Sequence, residues 1–525
     1  MRDAYQVEAV RAAERALMAI VPDGALMGRA AAGLASVCAA LLRREPGYVY
    51  GACVVVLADS GDNGGDALYA GARLARRGAA VTAIAAGSRV HPGGTAALRE
   101  AGGRVIDDTG AAGGLIEDAD LIVDGLLGIG GHGGLREPFA GLAAGAEHAH
   151  QAGATVVAVD LPSGIDADTG AVDGPAVRAD VSVTFGALKP GLLIDPGAGH
   201  AGTVELVDIG LGPYLKEGPH AAAPQRDDIA GLLPRPGAES DKYRRGVLGL
   251  LAGSDRFTGA VLLSAGGAVH GGAGMVRVVT ADVAAVLVRQ AWPEAVVSVH
   301  PDAVQPEDGD WDPGSVGRVQ AWVAGPGMGT DEVAAARLAA ILRTDLPVLV
   351  DADGLTILSQ HQDLLPRPRP ADPGSAGPGS AGPGSAGRAP TLITPHAGEL
   401  ARLLGTDPAS VEARRLDHAR RAAAQLGVTV LLKGSTTVIA APDDGPVLVN
   451  PTGTPWLATA GSGDVLSGLS GALLAQGLTP AQAGLAGAYL HGLAGRLAAS
   501  PDGAGQAPIG ASDLVRALPA AFRSL

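Results

Sequence analysis

Short apolar runs of strand length alternate with longer helix-like stretches through both halves of this chain. Five such runs occur in the first half: Cys53–Ala58, Val81–Ala85, Leu121–Val123, Thr155–Val159 and Val181–Phe185. A strand that is apolar along its whole length must be buried on both faces, so helices have to cover both sides of its sheet. The alternation therefore predicts an α/β fold with a parallel sheet in the first half.

The second half repeats this alternation with different loops. Its strand-length runs are Val247–Ala252, Met275–Val279, Ala321–Ala324, Val348–Val350, Thr391–Ile393 and Val428–Leu432. Between the halves, residues 210–237 are rich in Pro, Gly and short polar turns, a composition typical of a linker. We therefore predict a first domain at 1–215, a linker at 216–235 and a second domain at 236–525.

A low-complexity segment interrupts the second predicted domain at residues 366–390. Pro373-Gly-Ser-Ala-Gly377 occurs there three times in succession, and the strand pattern resumes at Thr391. This composition predicts a disordered surface insert, not a domain boundary. Deleting residues 373–387 is expected to leave the melting temperature of the protein nearly unchanged. A large drop would show that the insert packs against the domain.

Charge and cysteine content exclude several classes of protein. The formal net charge of −15 argues against binding to nucleic acid or anionic lipid, because both require basic surfaces. The two cysteines, Cys38 and Cys53, form neither a disulfide framework nor a zinc-ligand pattern. Charged residues near the amino terminus argue against a signal peptide, and no uninterrupted run of about 18 apolar residues follows. We expect a cytoplasmic protein that binds small molecules, without nucleic-acid or membrane partners.

One glycine-rich segment holds Asn63, which is one of only two asparagines in the chain. This segment, Gly61–Asp66, follows the first predicted strand and precedes a helix-like stretch at Ala67–Arg77. Its glycines would let main-chain N–H groups approach an anionic ligand at the start of a helix. The alternative is a tight turn in which Asp66 caps the helix. Three later loops also follow predicted strands, at 124–134, 159–164 and 185–191. Parallel sheets bind ligands along that edge, so these loops are expected to converge.

These segments resemble the NAD(P)H-hydrate epimerase family over about residues 5–215, which implies a Rossmann-like three-layer domain with a parallel sheet. The family motif is Gly-Asn-Asn-Gly-Gly-Asp-Gly; here Asp62 replaces its first Asn and Ala67 its last Gly. Family members bind a potassium ion and interconvert the R and S hydrates of NADH or NADPH. By this resemblance Asn63, Asp124 and Ser163 would hold K⁺, and their oxygen atoms suit a hard cation.

The same resemblance implies the substrate-binding and catalytic residues of the first domain. The hydrate would be held by Asp62, Asn63, Gly64, Gly65, Asp66, Gly128, Ile129, Gly130, Gly131, His132, Gly133, Gly134 and Asp160. Asp160 and Lys189 are the candidates for proton transfer. In the alternative interpretation, Asp160 caps the following turn and Lys189 is simply exposed. The charge of Asp62 near the phosphates of a dinucleotide is expected to weaken binding.

A second glycine-rich region follows the other asparagine, Asn450. Asn450-Pro-Thr-Gly453 precedes Gly461-Ser-Gly-Asp464, which opens a helix-like stretch. Two glycines leave main-chain N–H groups free where a transferring phosphoryl group develops negative charge, and Asp464 can accept the proton of the hydroxyl being phosphorylated. The alternative is that Ser462 or Asp464 merely caps the helix. Upstream, Lys433 and the hydroxyls of the following residues could bind the phosphates of a nucleotide.

The second half resembles the ADP-dependent NAD(P)H-hydrate dehydratase family, which has a ribokinase-like α/β/α fold, over about residues 225–525. Members use Mg²⁺ and ADP, or ATP in some, to phosphorylate the hydroxyl of the hydrate before phosphate leaves. By matching motifs, the hydrate would contact Ala260, Gly327 in the Gly325–Gly329 loop, His396 and Asp464. The nucleotide would contact Lys433, Gly434, Ser435, Thr436, Thr437 and Gly463. A lone histidine such as His396 is often only structural. Departures from the family pattern are Thr454, Trp456 and Ala460, of which Trp456 is the bulkiest.

We therefore predict a bifunctional repair enzyme: an epimerase domain equilibrates the hydrates, and a dehydratase domain converts the S form to NADH or NADPH, releasing AMP and phosphate. The expected ligands are K⁺, Mg²⁺, ADP and the hydrates, and by analogy with these folds a homo-oligomer is expected. One alternative is a ribokinase-like kinase of a vitamin precursor with a non-catalytic N-terminal domain. Another treats the N-terminal domain as a binding or scaffold module.

Overall fold

A computed structural model describes residues 1–87, 90–107, 109–299, 311–365, 390–503 and 505–525. The chain divides into two compact units, Arg2–Ala222 and Ala223–Leu525, with Met1 grouped with the second. This division falls inside the linker predicted at 216–235, and that segment contains β9 (Ala221–Ala223) and α8 (Arg226–Leu232). The predicted domain limits stay predictions. Apart from Pro390, the insert predicted at 366–390 lies outside the described residues.

The N-terminal unit alternates strands and helices. Its elements are β1 (Arg2–Ala4), α1 (Val7–Met18), α2 (Ala25–Arg44), β2 (Cys53–Ala58), α3 (Asp62–Ala75), β3 (Ala80–Ala85), α4 (Pro92–Glu100), β4 (Arg104–Ile106), α5 (Ala112–Glu117), β5 (Leu121–Gly125), α6 (Phe139–Gln151), β6 (Thr155–Val159), β7 (Val181–Phe185), α7 (Ala198–Ala201) and β8 (Thr203–Val207).

Seven strands of this unit form one parallel sheet in the order β4-β3-β2-β5-β6-β7-β8. Alternate residues of β2 face opposite sides of this sheet. Val54 and Val56 pack into a cluster with α1 to α4, whereas Val55 and Leu57 pack with α5 and α6. Both faces are therefore covered by helices, and the carboxyl ends of the strands form one edge from which the glycine-rich loops extend.

The helix α2 is long and apolar enough to cross a membrane by length and composition alone. Its buried residues are Ala30, Ala31, Leu34, Ala35, Cys38, Ala39 and Leu42, all within the core of the N-terminal unit. The Arg29 guanidinium of the same helix donates to the Ile209 carbonyl at 2.6 Å. In this structure α2 is a core helix, and one face of it packs on the sheet.

The C-terminal unit follows the same alternation up to a helical end. Beyond α8 its elements are β10 (Val247–Leu251), α9 (Thr258–His270), β11 (Met275–Thr280), α10 (Asp282–Ala291), β12 (Val296–Val299), β13 (Ala321–Ala324), α11 (Glu332–Leu342), β14 (Val348–Val350), α12 (Asp353–Gln360), β15 (Thr391–Ile393), α13 (Ala397–Leu404), α14 (Pro408–Ala413), α15 (Arg415–Leu426), β16 (Thr429–Leu432), β17 (Thr437–Ala440), β18 (Val447–Asn450), α16 (Ser462–Ala475), α17 (Pro480–Ala499) and α18 (Ala511–Arg523).

The sheet of this unit runs β18-β17-β16-β15-β14-β13-β10-β11-β12. In this order, the seven strands beginning with β16 and ending with β12 pair in parallel. The remaining two, β17 and β18, add an antiparallel hairpin beside β16. Two helices, α9 and α16, cross in close contact over it. A Cβ on Gly468 would lie 1.9 Å from the Ser264 carbonyl oxygen, so only glycine allows this approach. Leu263 of α9 likewise lies against Gly461, directly before α16.

The predicted fold class, α/β with two parallel-sheet domains, is confirmed. One predicted boundary is wrong at a site residue: α3 begins at Asp62, not near Ala67. Gly61 precedes this helix without a side-chain cap, and the acidic Asp62 lies in the first turn, where the helix dipole favours negative charge. Asp66 is therefore inside the helix and does not cap it.

Two candidate active sites

A cavity of about 510 Å³ opens at the carboxyl edge of the N-terminal sheet. Its walls come from α1, the first turns of α3, the loop after β5 and the end of β6. The lining residues are Arg11, Glu14, Arg15, Met18, Asp59, Ser60, Gly61, Asp62, Asn63, Asp66, Leu126, Leu127, Gly128, Ile129, Gly130, Gly131, Asp160 and Phe185. The loops predicted to converge therefore do so, since Asp62 and Asn63, the glycines from 128 to 131, and Asp160 face one space.

Asp124 and Ser163, two predicted K⁺ ligands, are in direct contact beside this cavity. The Ser163 hydroxyl donates to Asp124 Oδ1 at 2.7 Å, and the Ser163 N–H donates to Oδ2 at 2.8 Å. Burial raises the pKa of Asp124 to about 6, although the bonds from Ser163 and Leu126 act in the opposite direction. A nearby cation would favour the charged form of this carboxylate.

The third predicted ligand, Asn63, carries a buried amide nitrogen with no hydrogen-bond partner among the described residues. A Cβ on Gly128 would lie 3.1 Å from its Oδ1, so the loop after β5 passes directly over the amide. A buried amide group without its full set of partners is costly in a folded protein. An amide oxygen, a carboxylate and a hydroxyl at one loop cluster fit an alkali cation.

Asp160 lies where β6 ends and adopts a left-handed conformation, with φ at 68°. Its Oδ1 accepts from Lys189 Nζ at 2.5 Å and from the Thr184 hydroxyl at 3.0 Å. Lys189 is only 1% exposed, so it is not an exposed surface lysine. Neither is Asp160 a turn cap, because its partners are on β7 and the following loop. A non-glycine residue at positive φ is strained, and such strain is most common at functional sites.

Two further carboxylates, Asp66 and Glu14, face the same cavity. Burial, followed by the charges of Asp160, Asp62 and Glu14, raises the pKa of Asp66 well above its ordinary value. Burial also raises the pKa of Glu14, and Lys189 acts in the opposite direction. Sequence analysis missed Glu14 because an acid on an amphipathic helix has the same pattern as a solvent-exposed charge. Its position on the buried side of α1 is the only sequence signal.

Other predicted residues of the first site do not face the cavity. Gly64 and Gly65 are buried in α3, and a Cβ on Gly64 would lie 2.2 Å from the Asp59 carbonyl oxygen. Gly64 therefore allows close packing of the helix on the preceding loop, whereas Gly65 packs against the side chains of Met27 and His91. The His132 side chain is 78% exposed and lies 3.5 Å from Asp166, beyond the glycines that line the cavity.

A second cavity, of about 660 Å³, lies in the C-terminal unit between the loop after β16 and the start of α16. Its lining residues are His396, Glu412, Lys433, Gly434, Ser435, Thr437, Asn450, Gly453, Thr454, Pro455, Leu457, Ala458, Thr459, Ser462, Gly463, Leu466, Ala488 and His491. All of the predicted nucleotide contacts except Thr436 line this space.

The start of α16 is open toward this cavity. The helix begins after Gly461, which has a φ of 86°, and no side chain in the described part of the chain caps it. The Ser462 hydroxyl donates instead to the Leu457 carbonyl at 2.7 Å. The alternative in which Ser462 or Asp464 caps the helix therefore does not describe this structure. An uncapped helix start is suited to an anionic ligand.

Lys433 extends to this helix start, and its Nζ donates to Asp351 Oδ1 at 2.7 Å. A Cβ on Gly463 would lie 3.4 Å from the same Nζ. Asp351 is 1% exposed and was missed by sequence analysis. The sequence signal was Asp351-Ala-Asp-Gly354, two acids directly after a predicted strand at the ligand-binding edge of a parallel sheet.

Asp464 lies in the first turn of α16, and its environment disfavours charge. Burial and the charges of Asp351 and Asp353 raise the pKa of Asp464 to about 7, although Lys433 acts against this shift. A carboxyl with a pKa near neutrality can exchange a proton with a substrate hydroxyl at physiological pH. Asp464 is therefore suited to act as a base.

Two predicted hydrate contacts, Ala260 and Gly327, are brought together. Gly327 has a φ of 62°, and a Cβ there would lie 2.9 Å from Ala260 Cβ and 2.8 Å from Phe257 Cβ. Phe257 is 46% exposed and was not predicted as a site residue. Ala260 belongs to the first turn of α9, which packs beside the start of α16.

His396 both caps a helix and lines the second cavity. Its Nδ1 accepts from the Gly398 N–H at 3.0 Å, and the Glu399 carboxylate accepts from the His396 N–H at 2.8 Å. This reciprocal capping is the structural role that a lone histidine often has. Trp456 does not line the cavity; its indole N–H donates to Gln506 at 2.7 Å. The asparagine Asn450 shapes the turn by bonding Thr452 and the Ala488 carbonyl.

Comparison with known proteins gives matches over both units. The model of a family described as NAD(P)H-hydrate dehydratase matches residues 248–517, and one described as YjeF-related protein N-terminus matches residues 23–191. The bifunctional NAD(P)H-hydrate repair enzyme Nnr of Mycobacterium leprae is 45% identical over 100% of both chains. That of Mycobacterium tuberculosis is 47% identical over 92% of this chain and 91% of its own.

Among solved structures, the ADP/ATP-dependent NAD(P)H-hydrate dehydratase of Bacillus subtilis, co-crystallised with ATP and Mg²⁺, is 30% identical. The match covers 57% of this chain and 97% of that chain, with a TM-score of 0.48. The family models and the full-length relatives favour a repair enzyme over the alternative of a vitamin-precursor kinase.

Proposed function

This chain belongs to the family of bifunctional NAD(P)H-hydrate repair enzymes, and from this we propose that its two units catalyse two successive reactions. The N-terminal unit interconverts the R and S hydrates, and the C-terminal unit dehydrates the S hydrate with ADP. The observation that carries the proposal is that each unit has its own cavity with a candidate proton-transfer aspartate. Asp160 faces the first cavity and pairs with the buried Lys189. Asp464 lies at the helix start beside the second cavity, near Asp351 and Lys433. One chain then repairs both epimers.

In the N-terminal unit, Asp160 is the group that exchanges a proton with the hydroxyl of the hydrate. It faces the cavity, whereas the buried Lys189 holds its carboxylate from behind. Lys189 is therefore a positioning residue in this proposal, and of these two residues Asp160 is the one that touches the substrate. The strained φ of Asp160 is maintained by the bonds from Thr184 and Lys189.

Asn63, Asp124 and Ser163 would hold K⁺ at the edge of this cavity. When bound, the cation supplies a positive charge that offsets the buried Asp124 carboxylate and attracts an oxygen of the substrate. The buried Asp124 carboxylate, whose charged form a nearby cation would favour, supports this assignment.

Potassium is expected to stabilise the N-terminal unit, and less so at acid pH. Without a cation, the raised pKa of Asp124 makes the folded unit lose stability as pH rises from about 4 to about 6. A cation bound only by the folded state adds about 2.7 kcal/mol at a concentration 100 times its Kd. The melting temperature should therefore rise with KCl at pH 7.5, and much less at pH 5, where Asp124 is protonated.

Choline chloride at equal ionic strength is the control for this melting experiment, and Asp124→Asn is the matched variant. The variant is expected to show no difference between KCl and choline chloride. An equal KCl effect in the wild type and in the variant would remove Asp124 from the cation site.

In the C-terminal unit, ADP would occupy the cavity with its phosphates at the start of α16. Lys433 and the main-chain N–H groups of α16 stabilise the charge that develops on the transferring phosphoryl group. Asp464 accepts the proton of the hydrate hydroxyl, whose oxygen then bonds to phosphorus as AMP leaves. The phosphate ester next loses phosphate, and loss of a ring proton restores the dihydronicotinamide. Mg²⁺ would bind with the nucleotide and neutralise its phosphate oxygens.

The stoichiometry of the second reaction tests this assignment. Each hydrate repaired with ADP should yield one NADH, one AMP and one phosphate, measured by absorbance and by chromatography of the nucleotides. Release of AMP without regeneration of NADH would contradict a dehydratase. The preference for ADP or ATP follows from running both in parallel. The homo-oligomer and the cytoplasmic location stay predictions.

A further inference from the structure

Asp351 is a buried carboxylate at the carboxyl end of β14 that does not line the nucleotide cavity. It is 1% exposed, yet both of its oxygen atoms are bonded. Oδ1 accepts from Lys433 Nζ at 2.7 Å, and Oδ2 accepts from the Ser467 hydroxyl at 2.7 Å. Ser467 is on α16, so Asp351 connects the lysine of one loop to the helix at which phosphate is expected to bind.

The bonds around Lys433 fix both ends of this residue. Its main-chain N–H donates to the Pro395 carbonyl at 2.8 Å, and the buried Arg415 donates to its carbonyl at 2.6 Å. Two acids hold the ammonium group, with Asp351 at 2.7 Å and Glu399 at 3.9 Å. Asp351 therefore determines where the ammonium lies relative to Gly463.

The backbone at Asp351 supports a specialised role. The next residue, Ala352, has a φ of 50°, a strained value for a residue with a side chain. Through this bend the carboxylate of Asp353 turns to another loop, where it accepts from the Gly329 N–H at 3.0 Å. The two acids on either side of Ala352 thus bind different parts of the site: Asp351 binds Lys433, and Asp353 binds the Gly325–Gly329 loop.

We propose that Asp351 is a positioning residue for phosphoryl transfer, which holds the Lys433 ammonium against the first turn of α16. The inference rests on the proposed dehydratase function of this unit. Because Asp351 is buried beneath the cavity, it acts through Lys433 and does not touch the nucleotide. Its contribution should therefore appear in the turnover number and not in nucleotide affinity.

The test is Asp351→Asn in the full chain, with the ADP-dependent repair of the S hydrate as the assay. The amide keeps the shape of the side chain but loses its charge, so Lys433 is held less firmly. We expect kcat to fall about 10- to 100-fold, less than the roughly 10²–10³ for losing an oriented donor itself, because the Lys433 ammonium is still present. The Kd for ADP, measured by calorimetry without hydrate, should not increase, because the site has lost a negative charge.

The pH profile provides a readout that a purely structural residue would not change. The charged groups that act on Asp464 are Asp351, Asp353 and Lys433. Removing the charge of Asp351 should lower the pKa of Asp464, so the acidic limb of kcat should move to lower pH in Asp351→Asn. The proposal would be overturned if the acidic limb of kcat did not move and the affinity for ADP fell by the same factor as kcat.

A double-variant cycle separates positioning of Lys433 from any other effect. In a Lys433→Met background, and at a pH above the acidic limb of both variants, Asp351→Asn should change kcat by less than about twofold, because its partner is already absent. An undiminished effect in that background would overturn the inference. If Asp351→Asn does not fold, Ser467→Ala is the alternative test, because it removes one bond to Asp351 but keeps the charge of that carboxylate. We expect a several-fold lower kcat, with the acidic limb of kcat at the wild-type pH. Wild-type kcat in Ser467→Ala would then count against the proposal.

The controls distinguish failure of this inference from failure of the proposed function. A wild-type chain that does not regenerate NADH from the S hydrate with ADP would contradict the function itself. A wild-type chain that is active, with an Asp351→Asn variant of equal kcat, would contradict only the role of Asp351.

Discussion

Replacing Asp464 with asparagine is expected to lower ADP-dependent dehydration of the S hydrate about 100- to 1,000-fold, with the Kd for ADP nearly unchanged. A base in the transition state contributes on the order of 10²–10⁴ in rate, and an amide cannot accept the hydroxyl proton. Turnover is measured from the NADH absorbance and ADP binding by calorimetry. Unchanged turnover would exclude Asp464 as the base.

The matched control for this variant is Asp282→Asn. Asp282 also lies in the first turn of a helix, α10, but it is exposed and follows β11, next to the edge strand β12. It should keep wild-type turnover, which would show that loss of an acid at a helix start is not itself the cause. The wild type should also lose turnover as pH falls through about 7, the pKa of Asp464, and not near the ordinary value of 3.8.

Replacing Asp160 is expected to abolish epimerisation and leave dehydration intact. An Asp160→Ala chain should clear the S hydrate at the wild-type rate, while the R hydrate persists and disappears only by spontaneous epimerisation. We expect a loss of about 100-fold or more in the epimerisation rate, because the proton-transfer group is removed. Chromatography that separates the two epimers measures both rates at once.

Folding has to be controlled in this experiment, because Asp160 is the acidic partner of the buried Lys189. Leaving one charge of a buried pair unpaired costs about 3–5 kcal/mol. The double variant Asp160→Asn, Lys189→Met should recover the melting temperature without recovering epimerisation. Asp118→Asn, an exposed acid at the amino-terminal edge of the sheet, should behave as wild type. Wild-type epimerisation in Asp160→Ala would contradict the role of Asp160.

The sheets could be predicted from the sequence because buried parallel strands are continuous apolar runs. Cys53–Ala58, Thr155–Val159 and Val348–Val350 begin and end as predicted. The hairpin of β17 and β18 was not predicted, since the segment that leads into β17 had been assigned to nucleotide binding and not to a strand. Thr437 was predicted only as a nucleotide contact, and it also begins β17.

Site residues could be predicted from the sequence where they lie in loops that follow strands. They were harder to predict where their role depends on partners that are distant in the sequence. Asp160 and Lys433 follow strands in this way, and both line the cavities as the sequence predicted. Asp351 also follows a strand, but its function depends on the partners Lys433 and Ser467, which are 82 and 116 residues away. A pattern of local residues cannot reveal those partners. The buried glycine Gly64 shows the reverse, because a motif glycine can serve packing alone.

The most direct test of a bifunctional repair enzyme is a single reaction with the purified full chain, KCl, MgCl₂, ADP and a mixture of both hydrates. The account predicts that both epimers disappear, that NADH absorbance recovers in proportion to the total hydrate, and that AMP and phosphate form in equal amounts. A stable phosphorylated alcohol without recovery of NADH absorbance would contradict it.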